Sequence, residues 1–211
     1  MQGSELKTRE SLIERLKDRE DKESWREFFN LYWQLIYGFA IKAGLGDTEA
    51  EEVVQETMIT ISNKLDDYVY EPKRCSFKSW MFHKARWRII DQIRKRDPGF
   101  IESTGRKKET TQTATPEKIP DQELPKLETI WEEEWEKNLL EAAMERVKDQ
   151  VSARQYQMFN LYVVKEWSVK EVKQLLHVNA GQVYLAKHRI SGLIKKEIKK
   201  LEVEMERDPS H

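Results

Sequence analysis

Cysteine is nearly absent: Cys75 stands alone in 211 residues, which excludes an internal disulfide and makes a reducing cytoplasm the expected location. No apolar run approaches the roughly 18 residues of a membrane span, so no membrane contact is expected. No basic-then-apolar leader is legible at the start. Strand-like alternation is missing throughout. The histidines His83, His177, His188 and His211 lack ligand spacing, and no glycine-rich phosphate loop occurs. No metal, no cofactor and no catalytic group are therefore expected.

Charge is what the chain has in abundance. Its net value is only -1, but the signs are segregated. Residues 45–71 carry eight acids against Lys64, whereas residues 73–96 carry nine bases against Asp91. Residues 121–141 are acidic again, and residues 184–200 hold six bases against Glu197. Two basic stripes separated by acidic segments predict two contacts with a polyanion and at least one with something else.

Glycine and proline are few, and they divide the sequence. Residues 8–96 read as four helices. Residues 97–125 gather Pro98, Gly99, Gly105, Pro116, Pro120 and Pro125 around a threonine-rich run, too polar to bury itself. Helical periodicity resumes at 129. The expected fold is all-α: a first helical domain over 1–97, a linker over 98–128, a second helical domain over 129–205 and a tail over 206–211. Three capping pairs mark helix starts in the second domain: Ser152 with Gln155, Ser168 with Glu171, and Asn179 with Gln182. Only His177-Val178-Asn179 separates the last two helices, the signature of a helix-turn-helix.

On the final helix Val183, Ala186, Ile190, Ile194, Ile198 and Leu201 share one stripe, the expected core face. The opposite side offers Gln182, Tyr184, Leu185, His188, Arg189, Lys195 and Lys196, which can reach base edges with the first turns and phosphates with the rest. A solvated surface helix would explain the same composition. The preceding helix, with Val169, Val172, Leu175 and Leu176 expected inward, favours the DNA reader.

In the first domain a helix is predicted over 48–65, capped by Thr48 with Glu51. It buries Ala50, Val53, Val54, Thr57, Met58, Ile61 and Leu65, and exposes Glu52, Gln55, Glu56, Ile59 and Asn63. An exposed isoleucine among carboxylates suits a protein partner, with plain solvation as the alternative. The next helix, Phe77 to Arg96 with Ser76 as cap, is expected to bury Met81, Phe82, Ala85, Ile89, Ile90 and Ile93. Its other face gathers Phe77, Trp80, Lys84, Trp87, Arg88, Arg94 and Lys95. Aromatics interleaved with cations can stack on unpaired bases while neutralising phosphates. Cys75, beside this basic segment, reads as a passive loop residue rather than a reactive thiol.

These residues match a pattern. Ala50-Glu51-Glu52-Val53-Val54-Gln55-Glu56-Thr57 resembles region 2.2 of sigma-70 family factors. Ser76-Phe77-Lys78-Ser79-Trp80, then Ala85-Arg86 and Asp91-Gln92-Ile93-Arg94, resembles regions 2.3 and 2.4. Residues 152–201 resemble region 4, including Gly181-Gln182-Val183 and His188-Arg189. Two such regions joined by a linker resemble the extracytoplasmic-function (ECF) layout. The resemblance implies that Glu52, Gln55, Glu56 and Ile59 dock on bacterial core RNA polymerase. It implies that the loop 68–76, with Lys73, Arg74 and Ser76, and the face of Trp80, Lys84, Trp87, Arg88, Arg94 and Lys95 hold the minus-ten element of promoter DNA. Gln182, Tyr184, Leu185, His188, Arg189 and Lys195 would read the minus-thirty-five element, and residues 97–128 would thread towards the RNA exit path. An anti-sigma protein is a further partner the resemblance allows.

The chain departs from the family at Lys84 and Trp87, at Lys173 and Lys187, which threaten the packing of the helix-turn-helix, and at His177, where glycine is usual. The acidic lead-in Trp131–Glu136 has no family role; packing on the second domain is the expectation for it. The rival reading is a stand-alone regulator, with a sensing first domain and a DNA-binding second.

Overall fold

The structure, a computed structural model, describes residues 12–65, 76–96 and 124–206. Among these residues it is all helix, without a strand. The helices are α1 (Leu12–Arg15), α2 (Lys22–Lys42), α3 (Asp47–Lys64), α4 (Phe77–Arg96), α5 (Leu124–Lys148), α6 (Ala153–Phe159), α7 (Val169–Leu176) and α8 (Ala180–Glu206). A π-helical turn, Asn160–Val164, follows α6. Two compact units result, the first reaching to Asn138 and the second spanning Leu139–Val203.

The first unit forms because α2, α3 and α4 each bury one apolar face. Phe28, Tyr32, Leu35, Ile36 and Phe39 of α2 meet Ala50, Val53 and Ile61 of α3 and Met81, Ala85 and Ile89 of α4, all within 2% of complete burial. Asp21 caps α2, accepting the Ser24 amide at 3.0 Å. Gly46 precedes α3, and Glu49 accepts the Gly46 amide at 2.8 Å. The expected Thr48–Glu51 cap is thus displaced two residues upstream, because Asp47 already takes a helical place. Ser76 caps α4 as expected, accepting the Ser79 amide at 3.2 Å. At the other end of α4, Arg96 donates to the Gly44 carbonyl at 3.0 Å, tying its last turn to the α2–α3 corner.

Helix α5 changes the expected boundaries. Residues 124–128, read as linker, already belong to it, and Leu127 is buried. The Trp131–Glu136 segment packs on the first unit, not the second: the Trp131 ring lies 5.2 Å from Phe39 and 5.7 Å from Phe82, and Trp135 stacks 6.1 Å from Tyr32. Lys42 pairs with Glu134 at 2.9 Å and Glu133 at 3.1 Å, and Lys78 pairs with Glu132. Glu134 is buried against Gly38, where an added Cβ would stand 2.3 Å from its carboxylate. The division between units therefore falls inside α5, not at residue 129, because its first half finds aromatic partners on α2 and α4.

The second unit has its core at Met158, Leu161, Val172, Val178, Val183 and Ala186. All three predicted caps form: Ser152 accepts the Gln155 amide at 3.3 Å, Ser168 the Glu171 amide at 3.3 Å, and Asn179 the Gln182 amide at 2.9 Å. Lys173 and Lys187 are both exposed, so neither enters the core; the Lys187 ammonium sits 5.4 Å over the Tyr162 ring. Leu175, expected inward, is 54% exposed, because Val172 alone of α7 faces fully into the core. On α8 the buried row runs through Glu197 rather than Ile198, which is only partly covered. Glu197 is held by Lys200 at 2.6 Å and Gln150 at 3.1 Å, which offsets the cost of burying its charge.

Candidate nucleic-acid interface

The basic face of α4 is built from its helical register. Trp80 and Lys84 are one turn apart, and the Lys84 ammonium lies 5.4 Å from the Trp80 ring centroid. Trp87 is 39% exposed, with the Arg88 guanidinium 4.6 Å from its ring. Arg94 is half-buried, while Lys95 is exposed and pairs with Asp91 at 3.4 Å. Phe77, read as part of this face, is instead completely buried, packed 6.0 Å from both Phe28 and Tyr32 and 5.8 Å from Trp80. Being the first residue of the helix, it turns towards α2. Ile93, expected in the core, is only half-buried, and Gln92 takes the inward place, donating to Glu52 at 2.8 Å. Lys73, Arg74 and Cys75 lie outside the described residues, as do most of the loop 68–76 and of the linker.

The acidic face of α3 lies beside that of α4. Glu52, Gln55 and Ile59 are exposed, Ile59 by 53%, and Glu56 is half-buried. Glu56 accepts from Arg88 at 2.7 Å, and the same guanidinium donates to Thr60 at 2.9 Å. The residues expected to meet a protein and those expected to meet DNA are thus in direct contact. On the other side of α4, burial lowers the pKa of His83, helped by the Arg86 and Lys84 charges, and burial lowers that of Arg86, which stays a cation; Glu128 of α5 opposes both shifts.

In the second unit the exposed face of α8 is presented by a turn. His177 adopts the left-handed conformation, φ 51° and ψ 52°, that ends α7 and allows α8 to begin three residues later. Arg154 of α6 donates to the Leu176 carbonyl at 2.9 Å, satisfying one of the acceptors the helix end leaves over. Tyr184 and Leu185 are 53% and 66% exposed, and His188, Arg189 and Lys195 are exposed beside them. Tyr184 meets Tyr162 edge-on at 5.9 Å. Gln182 is exposed, but its carbonyl is committed to the Asn179 amide at 2.9 Å, which leaves its NH2 group for outside contacts.

The Sigma-70 region 2 family matches residues 28–98, which take in most of α2 and all of α3 and α4. That segment is thus similar to region 2 of sigma-70 factors. The chain is also similar to the ECF RNA polymerase sigma factor RpoE of Cereibacter sphaeroides, at 33% identity over 85 residues, or 40% of this chain. The chain thereby spans about half, 46%, of that relative's length. A solved structure, that of CnrH in complex with the cytosolic domain of CnrY, covers 90% of this chain and 96% of its own at 14% identity, with a TM-score of 0.35.

The region 2 unit has features the sequence did not disclose. The spacing of Leu127, Trp131 and Trp135 was visible, but nothing in it names Phe39 and Phe82 as the surface it covers. The Arg88 fork onto Glu56 and Thr60 joins residues 32 and 28 positions apart, and no local pattern announces it. Among the described residues no cluster of His, Cys, Asp and Glu could hold a metal ion, and no helix is long and apolar enough to cross a membrane.

Proposed function

We infer that the chain is an ECF sigma factor that docks on bacterial core RNA polymerase and directs initiation at promoters. The observation that carries this reading is the region 2 match over residues 28–98, which includes a helix, α4, that carries Trp80, Lys84, Trp87 and Arg88 on one partly exposed face. Glu52, Gln55, Glu56 and Ile59 meet the polymerase. The α4 face, extended by Lys73, Arg74, Ser76, Arg94 and Lys95, holds the opened minus-ten element. Gln182, Tyr184, Leu185, His188, Arg189 and Lys195 read the minus-thirty-five element from the major groove. The protein works in the cytoplasm and makes or breaks no covalent bond.

The physics of this role is additive and weak at each contact. Unstacking costs a few kcal/mol. Stacking returns roughly 1–3 kcal/mol per base captured on an aromatic ring. A net charge of -1 gives the free protein little attraction for DNA. Two modules held together by the polymerase gain through effective concentration. Promoter binding by the assembled enzyme is therefore expected to weaken steeply as salt rises.

The test is binding of the full-length protein to purified core RNA polymerase, repeated with Gln55→Ala and Glu56→Lys. Tight binding weakened at least about tenfold by Glu56→Lys, roughly 1.4 kcal/mol, is the expected result. Absence of binding, together with tight DNA binding by the protein alone, would overturn the reading in favour of a stand-alone regulator.

A further inference from the structure

Two carboxylates of α3, Glu56 and Glu52, are held by side chains of α4. Glu56 takes one arm of the Arg88 guanidinium at 2.7 Å, and Thr60 takes the other at 2.9 Å. The Thr60 hydroxyl donates to the Glu56 carbonyl at 2.7 Å, so the fork has a fixed seat. The same guanidinium covers the Trp87 ring at 4.6 Å. One turn before, Glu52 accepts from the buried Gln92 at 2.8 Å. The ion pair is not sealed: the side chains of Arg88 and Glu56 are 25% and 38% exposed. A cation arriving at Glu56, or a phosphate arriving at Arg88, competes directly with the existing partner. A half-exposed pair of this kind is weak enough to be exchanged.

We propose that the Glu56–Arg88 pair is a latch through which the polymerase-facing and DNA-facing sides of the first unit act on each other. This rests on the sigma reading above. Latched, Arg88 is neutralised and Glu56 stands beside it as a charge that repels phosphate. Engagement of Glu56 by the polymerase leaves Arg88 unpaired, able to turn to the DNA backbone and to uncover Trp87. Coupling of this kind is reciprocal, so DNA held by Arg88 equally frees Glu56. Arg88 acts here as a positioning residue for Trp87 as well as a charge.

The experiment uses the full-length protein, a fluorescein-labelled single-stranded DNA of mixed sequence at low salt, and purified core RNA polymerase. Glu56→Gln removes the acceptor charge and keeps the size; Glu51→Gln removes the same charge from a neighbouring exposed position. Without polymerase, Glu56→Gln is expected to tighten DNA binding about fivefold, equivalent to about 1 kcal/mol. Glu51→Gln should change it less than about twofold, and the Glu56→Gln gain should vanish in an Arg88→Gln background. The indole N–H resonance of Trp87, assigned by Trp87→Phe, should move in Glu56→Gln and stay in Glu51→Gln. Equal gains from the two glutamines, a gain that survives without Arg88, no DNA binding by any variant, or an unmoved Trp87 signal overturns the latch. If wild-type protein binds core polymerase, such a result removes the latch and leaves the sigma reading standing. If it does not bind, both fall together.

Discussion

His177 holds a backbone conformation, φ 51°, that costs an L-residue with a side chain roughly 1 kcal/mol or more. Glycine pays nothing there but loses more freedom on folding. His177→Gly is expected to raise the stability of the second unit by about 0.5–1 kcal/mol, read as a higher urea midpoint at unchanged slope. Glu197 makes a second residue-scale prediction. The Lys200 ammonium, and after it Gln150, hold its carboxyl below the ordinary glutamate value of 4.5. A lowered folded value means the stabilisation is complete above pH 4.5 and is lost as pH falls through the folded value. The thermal midpoint of wild type minus that of Glu197→Gln should stay constant from roughly pH 7 down to that point and then shrink. The histidine was legible because a turn position normally given to glycine stood out. The glutamate was not: periodicity assigns Ile198 to the stripe, and only the neighbouring ammonium and amide make a buried Glu197 tolerable.

Among the elements, α5 carries the largest gap between sequence and structure. Trp131 is 2% exposed, set among Phe39, Phe82 and Trp135. Trp131→Ala is expected to cost the first unit about 3–5 kcal/mol, measurable as a fall in its unfolding midpoint. Gly38→Ala should act on the same contact, since the new methyl displaces the Glu134 carboxylate from its place beside Lys42. The three caps of the second unit, the helix-turn-helix and the exposed face of α8 were legible because each is local: a side chain and a backbone amide three residues apart, or a stripe within one helix. The fourth wall of the first unit was not. Along the whole of α5, which crosses from the first unit into the second, the buried apolar residues Leu127, Trp131, Trp135, Leu139, Ala143 and Val147 recur every four positions, which advances about 40° per step around an α-helix. Over the whole length the stripe winds by roughly 200°, so no single face of α5 looks apolar.

For the whole molecule, the compact first unit needs sequence from both sides of the proline-rich segment. A fragment ending at residue 97 would leave Phe39 and Phe82 without their Trp131 cover. It is expected to unfold at markedly lower denaturant than a fragment ending at 138 and to bind a hydrophobic dye; equal stability of the two would contradict the packing of α5. The boundary was misread in sequence because composition reports where a chain cannot fold, not which core its next helix joins. The wound stripe has a kinetic consequence. The backbone amides of one uninterrupted helix are shielded by two different cores, so they should exchange with deuterium in two classes. Protons from 131 to 138 should be released at the opening free energy of the first unit, and those from 143 to 148 at that of the second. A substitution that weakens one unit should accelerate only its own half of α5, making this helix an internal gauge of both stabilities in a single spectrum.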